Sequence, residues 1–214
     1  MQHNVKVIAL AGKAGFGKTT ISKMIAEADP RTKITAFAEP LKEIVGKIFP
    51  ELTDYHLRDQ KGKHEPTVIL NGHTPRELMQ YFGTDFVRKY DPNYWAKLGE
   101  KKIVAARSVP ARGKMKLNFL VFDDCRFENE VEIIRKYGGC IIHLERPDQE
   151  PTFGQKLKGF FGKGGYQNHA SEAGVRKFYD PKTDYIIDTS EDISLTKARI
   201  AEMVAQGFSP DYQL

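Results

Sequence analysis

The chain has 214 residues, enough for one compact α/β domain with a small lid or insertion, and its 40% apolar content suffices for a buried core. No run approaches the roughly 18 apolar residues of a membrane span, and Met1–Asn4 lacks the basic start and long apolar stretch of a secretory signal, so membrane and secreted classes are set aside. Lysine and arginine total 33 against 28 acids, a scattered excess of +5 that suits small polyanionic substrates better than a nucleic-acid groove. Only two cysteines occur, Cys125 and Cys140, without metal-like spacing; they read as free thiols in a reducing cytoplasm.

Val5–Ala11 is nearly all apolar and predicts a parallel strand covered on both faces. A glycine-rich loop follows, and then a helix over Thr19–Ala28 with Ile21, Met24, Ile25 and Ala28 on one face, ended by Asp29-Pro30. Lys33–Phe37 predicts a second strand, and Leu41–Phe49 a helix stopped by Pro50. Residues 51–73 hold no sustained period and read as a loop-rich insertion. Thr74-Pro75-Arg76-Glu77 is a helix start, with a capping Thr and Pro at the first helical position. A further helix spans Tyr94 to about Ala106, and Ser108–Lys116 is a basic turn. Leu117–Phe122 predicts a buried strand ending in Asp123-Asp124, then a helix over Phe127–Tyr137 capped by Gly138-Gly139. Cys140–Leu144 and Tyr185–Ile187 complete the strands, and Ser190 is the expected cap of a last helix reaching about Gln206.

Strands alternating with helices predict an α/β fold: a doubly wound, mostly parallel, five-stranded sheet flanked by helices. Ligands bind such sheets beyond the carboxyl ends of the strands. Both informative polar clusters, the loop after the first strand and the Asp pair, lie at such ends.

Gly12-Lys13-Ala14-Gly15-Phe16-Gly17-Lys18-Thr19 fits the phosphate-loop pattern G-x-x-x-x-G-K-[ST], in the required strand–loop–helix context. Glycines let backbone N–H groups converge on phosphate oxygens, and the helix that follows points its positive end at the same anion. Lys18 is placed to bridge β- and γ-phosphates, and the Thr19 hydroxyl to hold Mg²⁺. Gly12 through Thr20 are therefore the candidate ATP-binding residues. A dinucleotide motif is excluded, because Thr20 stands where its third glycine belongs.

A phosphate loop does not separate a kinase from a GTPase, motor or helicase. Further ordered blocks do: Phe37-Ala38-Glu39-Pro40-Leu41-Lys42; Arg76-Glu77-Leu78-Met79-Gln80-Tyr81-Phe82-Gly83-Thr84-Asp85 running on to Tyr94-Trp95; Asp124-Cys125-Arg126-Phe127-Glu128-Asn129-Glu130; and His169-Ala170-Ser171-Glu172. In these blocks, which with the phosphate loop are spread in order along most of the chain, the sequence resembles the bacteriophage deoxynucleoside monophosphate kinases, a branch of the P-loop NTPase fold. The resemblance implies transfer of the γ-phosphoryl group of ATP, with Mg²⁺, to a deoxynucleoside 5′-monophosphate. It implies one kinase domain over 1–214 with a helical acceptor-binding region at about 50–108 and a lid at about 146–170. Glu39 stands where the family commonly has Asp.

The residues allow the same reading. Lys42 either reaches an acceptor phosphate or is a solvated helix lysine. Arg76 and Arg88 flank Gln80–Thr84 and offer planar forks for phosphate, with surface pairing the alternative for Arg88. Gln80 can read a base edge, and Gly83-Thr84 can bend the helix and expose backbone to the ligand. Trp95 is either a stacking platform or a half-buried core residue. Asp124 can orient Mg²⁺-bound water or bind the acceptor, and Asp123 is its rival on the metal side. Arg126 is placed to stabilise the transferring phosphoryl group, with Glu130 either positioning it or forming a surface pair. Arg146 begins the lid, whose Lys156, Lys158 and Lys163 belong either to it or to a disordered basic loop; His169 reads as structural. The expected catalytic set is Lys18, Asp124, Arg126 and Arg146.

Alternatives are another small-molecule P-loop kinase, acting on a ribonucleotide or coenzyme precursor, and a nucleic-acid-stimulated ATPase. No stable nucleic-acid complex and no membrane are expected, and a homodimer is compatible with a sequence that does not fix oligomeric state. The expected location is the cytoplasm, the host's if the chain is phage-encoded.

Overall fold

The computed structural model describes residues 4–108, 116–147 and 174–209, and within them the chain divides into two compact units, 37–97 and the remainder. The helix Glu39–Ile48 belongs with the smaller unit, and residues 98–107 of the helix Tyr94–Arg107 belong with the larger.

The larger unit is built on five parallel strands: β1 (Lys6–Ala11), β2 (Thr32–Thr35), β3 (Phe119–Cys125), β4 (Cys140–Glu145) and β5 (Tyr185–Asp188), in the order β2-β3-β1-β4-β5. β1, at the centre, is buried along nearly its whole length, as a strand covered on both faces must be. On one face, α1 (Lys18–Ala28) packs against the C-terminal helix (Ile193–Ala205, α8 below), with Ile21, Met24 and Ile25 meeting Ile200, Met203 and Val204 in one apolar cluster. On the other, the helix Glu128–Lys136 (α7 below) lays Val131 and Ile134 against β1 and β4. The sheet is therefore doubly wound, and its strand carboxyl ends all open on one edge.

β3 runs on past the predicted end at Phe122 and takes in Asp123, Asp124 and Cys125. Ala9 pairs with Phe122 and Ala11 with Cys125, so two residues' advance on β1 meets three on β3. That extra residue is a β-bulge, and it falls at the Asp pair. Bulges re-aim side chains at strand ends, which is why simple alternation does not assign the two carboxylates to opposite faces.

Asp184 braces the β4–β5 side, with its side chain fully buried. Its Oδ1 accepts the Ile141 N–H at 3.0 Å; its Oδ2 accepts Arg135 Nη2 and the Asp180 N–H, both at 3.0 Å. Burial pushes its pKa up, but these donors and nearby His143 outweigh it and hold the carboxyl below its usual range. Cys125 and Cys140 are free and buried, and burial raises both thiols, Cys140 to about 12. They are packing residues rather than nucleophiles.

The smaller unit is helical: α2 (Glu39–Ile48), α3 (Asp54–Arg58), α4 (Pro75–Gln80), α5 (Arg88–Tyr90) and the start of α6 (Tyr94–Arg107). α2 begins two residues earlier than predicted because Pro40 sits in its first turn. α3 falls inside the expected loop 51–73. It is fixed by a reciprocal cap, in which the Thr53 N–H donates to His56 Nδ1 at 3.1 Å; His in that role is not a usual start signal. α4 opens on a regular capping box: Glu77 N–H donates to Thr74 Oγ1 at 3.1 Å and Thr74 N–H to Glu77 Oε2 at 2.8 Å. α4 then widens into a π-helical stretch over Tyr81–Val87 before α5 resumes.

Candidate functional site

The candidate phosphate-binding residues are assembled by the loop between β1 and α1. Gly12 has φ 155°, and a Cβ there would come 2.9 Å from the Leu144 carbonyl oxygen, so only glycine lets the loop leave β1 against β4. Gly17 caps α1 in the left-handed region at φ 84°. Phe16 turns inward and is buried in the apolar cluster, anchoring the loop by its ring while its backbone stays in the turn. Lys13, Ala14 and Gly15 are exposed, as are Thr19 and Thr20 in the first turn of α1, which carries no acid. The helix end is thus left positive for an anion. Lys18 Nζ folds back to donate to Gly12 O at 2.7 Å and Lys13 O at 2.8 Å. The lysine lies over the loop that would hold the phosphates, with its charge met by carbonyls that a phosphate can replace.

Thr189, just past β5, was not singled out by any motif. Its Oγ1 lies 3.2 Å from Phe16 O and 3.1 Å from Glu145 O, and its N–H donates to Glu145 O at 2.9 Å, tying the phosphate loop to the ends of β4 and β5. A single threonine 173 positions away carries no sequence signal.

At the neighbouring strand end, Asp123, Asp124 and Arg126 are all half-buried around the bulge. Glu130 is 3% exposed and acts on Arg126 through the backbone: its Oε2 accepts the N–H of Arg126 at 2.8 Å and of Phe127 at 3.2 Å, capping α7. Arg146 follows β4; with Arg199 it adds to the Ser190 hydrogen bonds that hold the Asp188 carboxyl below its usual range. The rest of the expected lid, with Lys156, Lys158, Lys163 and His169, lies outside the described residues.

No cluster of three or more His, Cys, Asp or Glu among the described residues would cage a metal. That donor set still fits Mg²⁺ carried on a nucleotide, which keeps waters and phosphate oxygens and needs only a hydroxyl such as Thr19 and a carboxylate such as Asp123 or Asp124.

The smaller unit holds the candidate acceptor residues. Glu39, in the first turn of α2, bridges two cations: Arg58 Nη2 donates to its Oε1 at 2.6 Å, and Lys42 Nζ to its Oε2 at 3.3 Å. Burial opposes its charge, but Arg58 and Lys42 prevail and hold the carboxyl below its usual range. Lys42 is thus paired rather than merely solvated. Arg58, which sequence reading lost inside an apparent loop, joins it. Arg76 Nη1 lies 3.4 Å from His64 Nε2, and Arg88 Nη1 donates to Pro92 O at 2.9 Å, closing the turn after α5.

Gly83 and Trp95 form one packed unit. Trp95 is 4% exposed and donates its indole N–H to Gly83 O at 2.8 Å, while a Cβ on Gly83 would come 2.7 Å from Leu41 Cδ2. Burial selects the core reading of Trp95 over the stacking platform, and the Gly83 carbonyl is engaged by Trp95 rather than exposed to a ligand. Thr84, half-buried, lies within the same π stretch. Gln80, the last residue of α4, is 7% exposed, and neither its amide nitrogen nor its amide oxygen has a hydrogen-bond partner. Leaving such groups unbonded out of water costs about 1–3 kcal/mol apiece.

A family profile for deoxynucleotide monophosphate kinases matches residues 53–156, a span that omits the phosphate loop and takes in α3 to α6 and the Asp124–Glu130 block. A protein of Acanthamoeba polyphaga mimivirus, provisionally named a deoxynucleotide monophosphate kinase, is 31% identical over 144 residues, covering 66% of this chain and 74% of its own. Among solved structures, a gluconokinase from Sinorhizobium meliloti 1021 aligns with a TM-score of 0.45 at 12% identity over 97% of this chain and 93% of that one. A sugar kinase from Janibacter sp. HTCC2649 aligns at 0.42 and 12% over 97% of each. Those two likenesses are too loose to bear on chemistry.

Proposed function

The chain belongs to the deoxynucleotide monophosphate kinase family, and from that membership we propose that it transfers the γ-phosphoryl group of ATP to the 5′-phosphate of a deoxynucleoside monophosphate, releasing ADP and the diphosphate. The observation that carries the proposal is the donor loop. It has glycine geometry at Gly12 and Gly17, an acid-free α1 N-terminus, and Lys18 held 2.7–2.8 Å from loop carbonyls. That is a cradle for a polyphosphate.

In this reading, backbone N–H groups of residues 13–20 bind the β- and γ-phosphates, and Lys18 leaves its carbonyls to neutralise charge that grows on the γ-oxygens. Mg²⁺, when bound, supplies further neutralisation of the phosphate oxygens, with Thr19 and Asp123 or Asp124 as its protein-side donors. Arg126 and Arg146 stabilise the moving phosphoryl group. Lys42, Arg58 and Arg76 bind the acceptor phosphate. That phosphate is already anionic near neutral pH, so no strong general base is needed, and positioning and charge carry the rate.

The test is a coupled ADP-release assay with dAMP, dCMP, dGMP, dTMP and dUMP and their ribose counterparts. At least one deoxynucleotide is expected to be turned over, and Lys18→Ala to lower that turnover by at least about a hundredfold with the fold intact. Wild-type-like turnover in the variant would contradict the mechanism. ADP release that responds to ribonucleotides alone, or to DNA without any monophosphate, would replace it with one of the rival readings.

A further inference from the structure

We infer that Gln80 reads the Watson–Crick edge of the acceptor's base; this rests on the nucleotide-kinase reading above and extends it to the base. Among the described residues, Gln80 is the only side chain that carries two buried, unbonded polar atoms. Folded proteins rarely seal away a polar group without a partner, and those they do seal point to a ligand, an ion or a water. An amide also leaves both its donor and its acceptor unmet, side by side in one plane. The missing partner must therefore present an acceptor and a donor side by side.

A second observation points the same way. The backbone changes from α to π immediately after Gln80, at Tyr81. Such π stretches are rare and recur at functional sites. Here the widened turn is held by the Trp95–Gly83 hydrogen bond. Arg76 lies one α-turn before Gln80 and so shares its helix face. One helix face then offers a guanidinium fork for a phosphate and an amide for a base.

A nucleobase edge supplies the required pair. Adenine and cytosine present an exocyclic amine beside a ring nitrogen acceptor; guanine and thymine present a carbonyl beside a ring N–H. The amide meets either order by a half-turn about its last bond. A carboxylate in its place only accepts. It pairs with the adjacent N1–H and N2–H of guanine and repels the O4 of thymine.

The experiment is equilibrium binding of dGMP and dTMP to the full chain, by calorimetry, for wild type, Gln80→Met and Gln80→Glu, with ADP release and thermal unfolding measured alongside. Gln80→Met is expected to weaken both nucleotides by roughly ten- to hundredfold, to leave the KM for ATP unchanged, and not to lower the unfolding midpoint, because an unbonded polar group has been replaced by an apolar one of similar length. Gln80→Glu is expected to move the dGMP:dTMP affinity ratio about tenfold towards dGMP. Unchanged binding in Gln80→Met, as when a buried water alone meets the amide, would overturn the inference. So would weakened binding accompanied by a lower midpoint, the mark of a structural role. If the glutamate variant does not fold, the methionine variant decides. Binding without turnover in the wild type would sink the phosphotransfer reading while the affinities still judge Gln80; binding of neither nucleotide, with no turnover of any of the five deoxynucleotides, would sink both.

Discussion

The phosphate loop and the α4–π segment solve opposite problems with polar groups. In the loop the working groups are mostly main chain, and they are provided for: Lys18 rests on carbonyls, Phe16 O lies within reach of Thr189, and Gly12 is wedged against Leu144. In the α4–π segment the backbone is provided for, with the Gly83 carbonyl bonded to Trp95, while the Gln80 side chain is left with nothing. On the proposed function, the loop binds the same triphosphate on every turnover and can be prebuilt from glycines and amides. A residue that tells one ligand from another must keep its hydrogen bonds open until the ligand arrives.

That contrast can be broken most forcefully at the sheet. Asp184→Ala strips the brace beneath β4 and β5, leaving the Ile141 and Asp180 N–H groups and Arg135 without their carboxylate, and should cost about 3 kcal/mol in denaturant unfolding. Because the folded Asp184 carboxyl titrates below its ordinary range, its stabilisation is complete above the unfolded value of about 4 and disappears as pH falls through the lower folded value. The variant should therefore show a flatter stability–pH profile below about pH 4. An unchanged profile would mean that the brace does not depend on the charge.

Trp95→Phe keeps an aromatic ring but takes the indole N–H away from the Gly83 carbonyl, and should cost about 1 kcal/mol. Its effect should be local: faster hydrogen exchange over residues 75–95, with β1, β3 and β4 unaffected. Equal acceleration in the sheet would show that the two regions are not separable. An effect no larger is expected from Glu130→Gln. The amide still accepts one backbone N–H but loses its charge at the start of α7, for about 1 kcal/mol of stability. If Glu130 positions Arg126, kcat should fall more than KM for ATP rises; a stability loss with unaltered kinetics would leave it a cap alone.

Much of the larger unit was legible in the residues. The apolar run Val5–Ala11, the glycine pattern after it and the Ile21/Met24/Ile25 spacing each carry a local physical cause, and strand, loop and helix follow within one or two residues of where they are found. The smaller unit was read less well. α3 is held by an unusual Thr53–His56 cap, and the π stretch over Tyr81–Val87 has the same apolar spacing as an ordinary helix that continues. Arg58 lies on α3 and carries no local signal of its own, and for Trp95 only burial separates a core residue from a stacking platform.

The sequence by itself determined the conformation of the loop after β1: a G-x-x-x-x-G-K-T loop between a buried strand and an amphipathic helix admits few structures, because glycine conformation and helix polarity act over a handful of neighbouring residues. Only the tertiary structure decided the remainder. It put the β-bulge at Asp123-Asp124, brought Thr189 to the loop, joined Arg58 and Lys42 through Glu39, and buried the Gln80 amide without a partner. Each of these depends on register between strands or on contact between side chains distant in sequence, and local propensity contains neither.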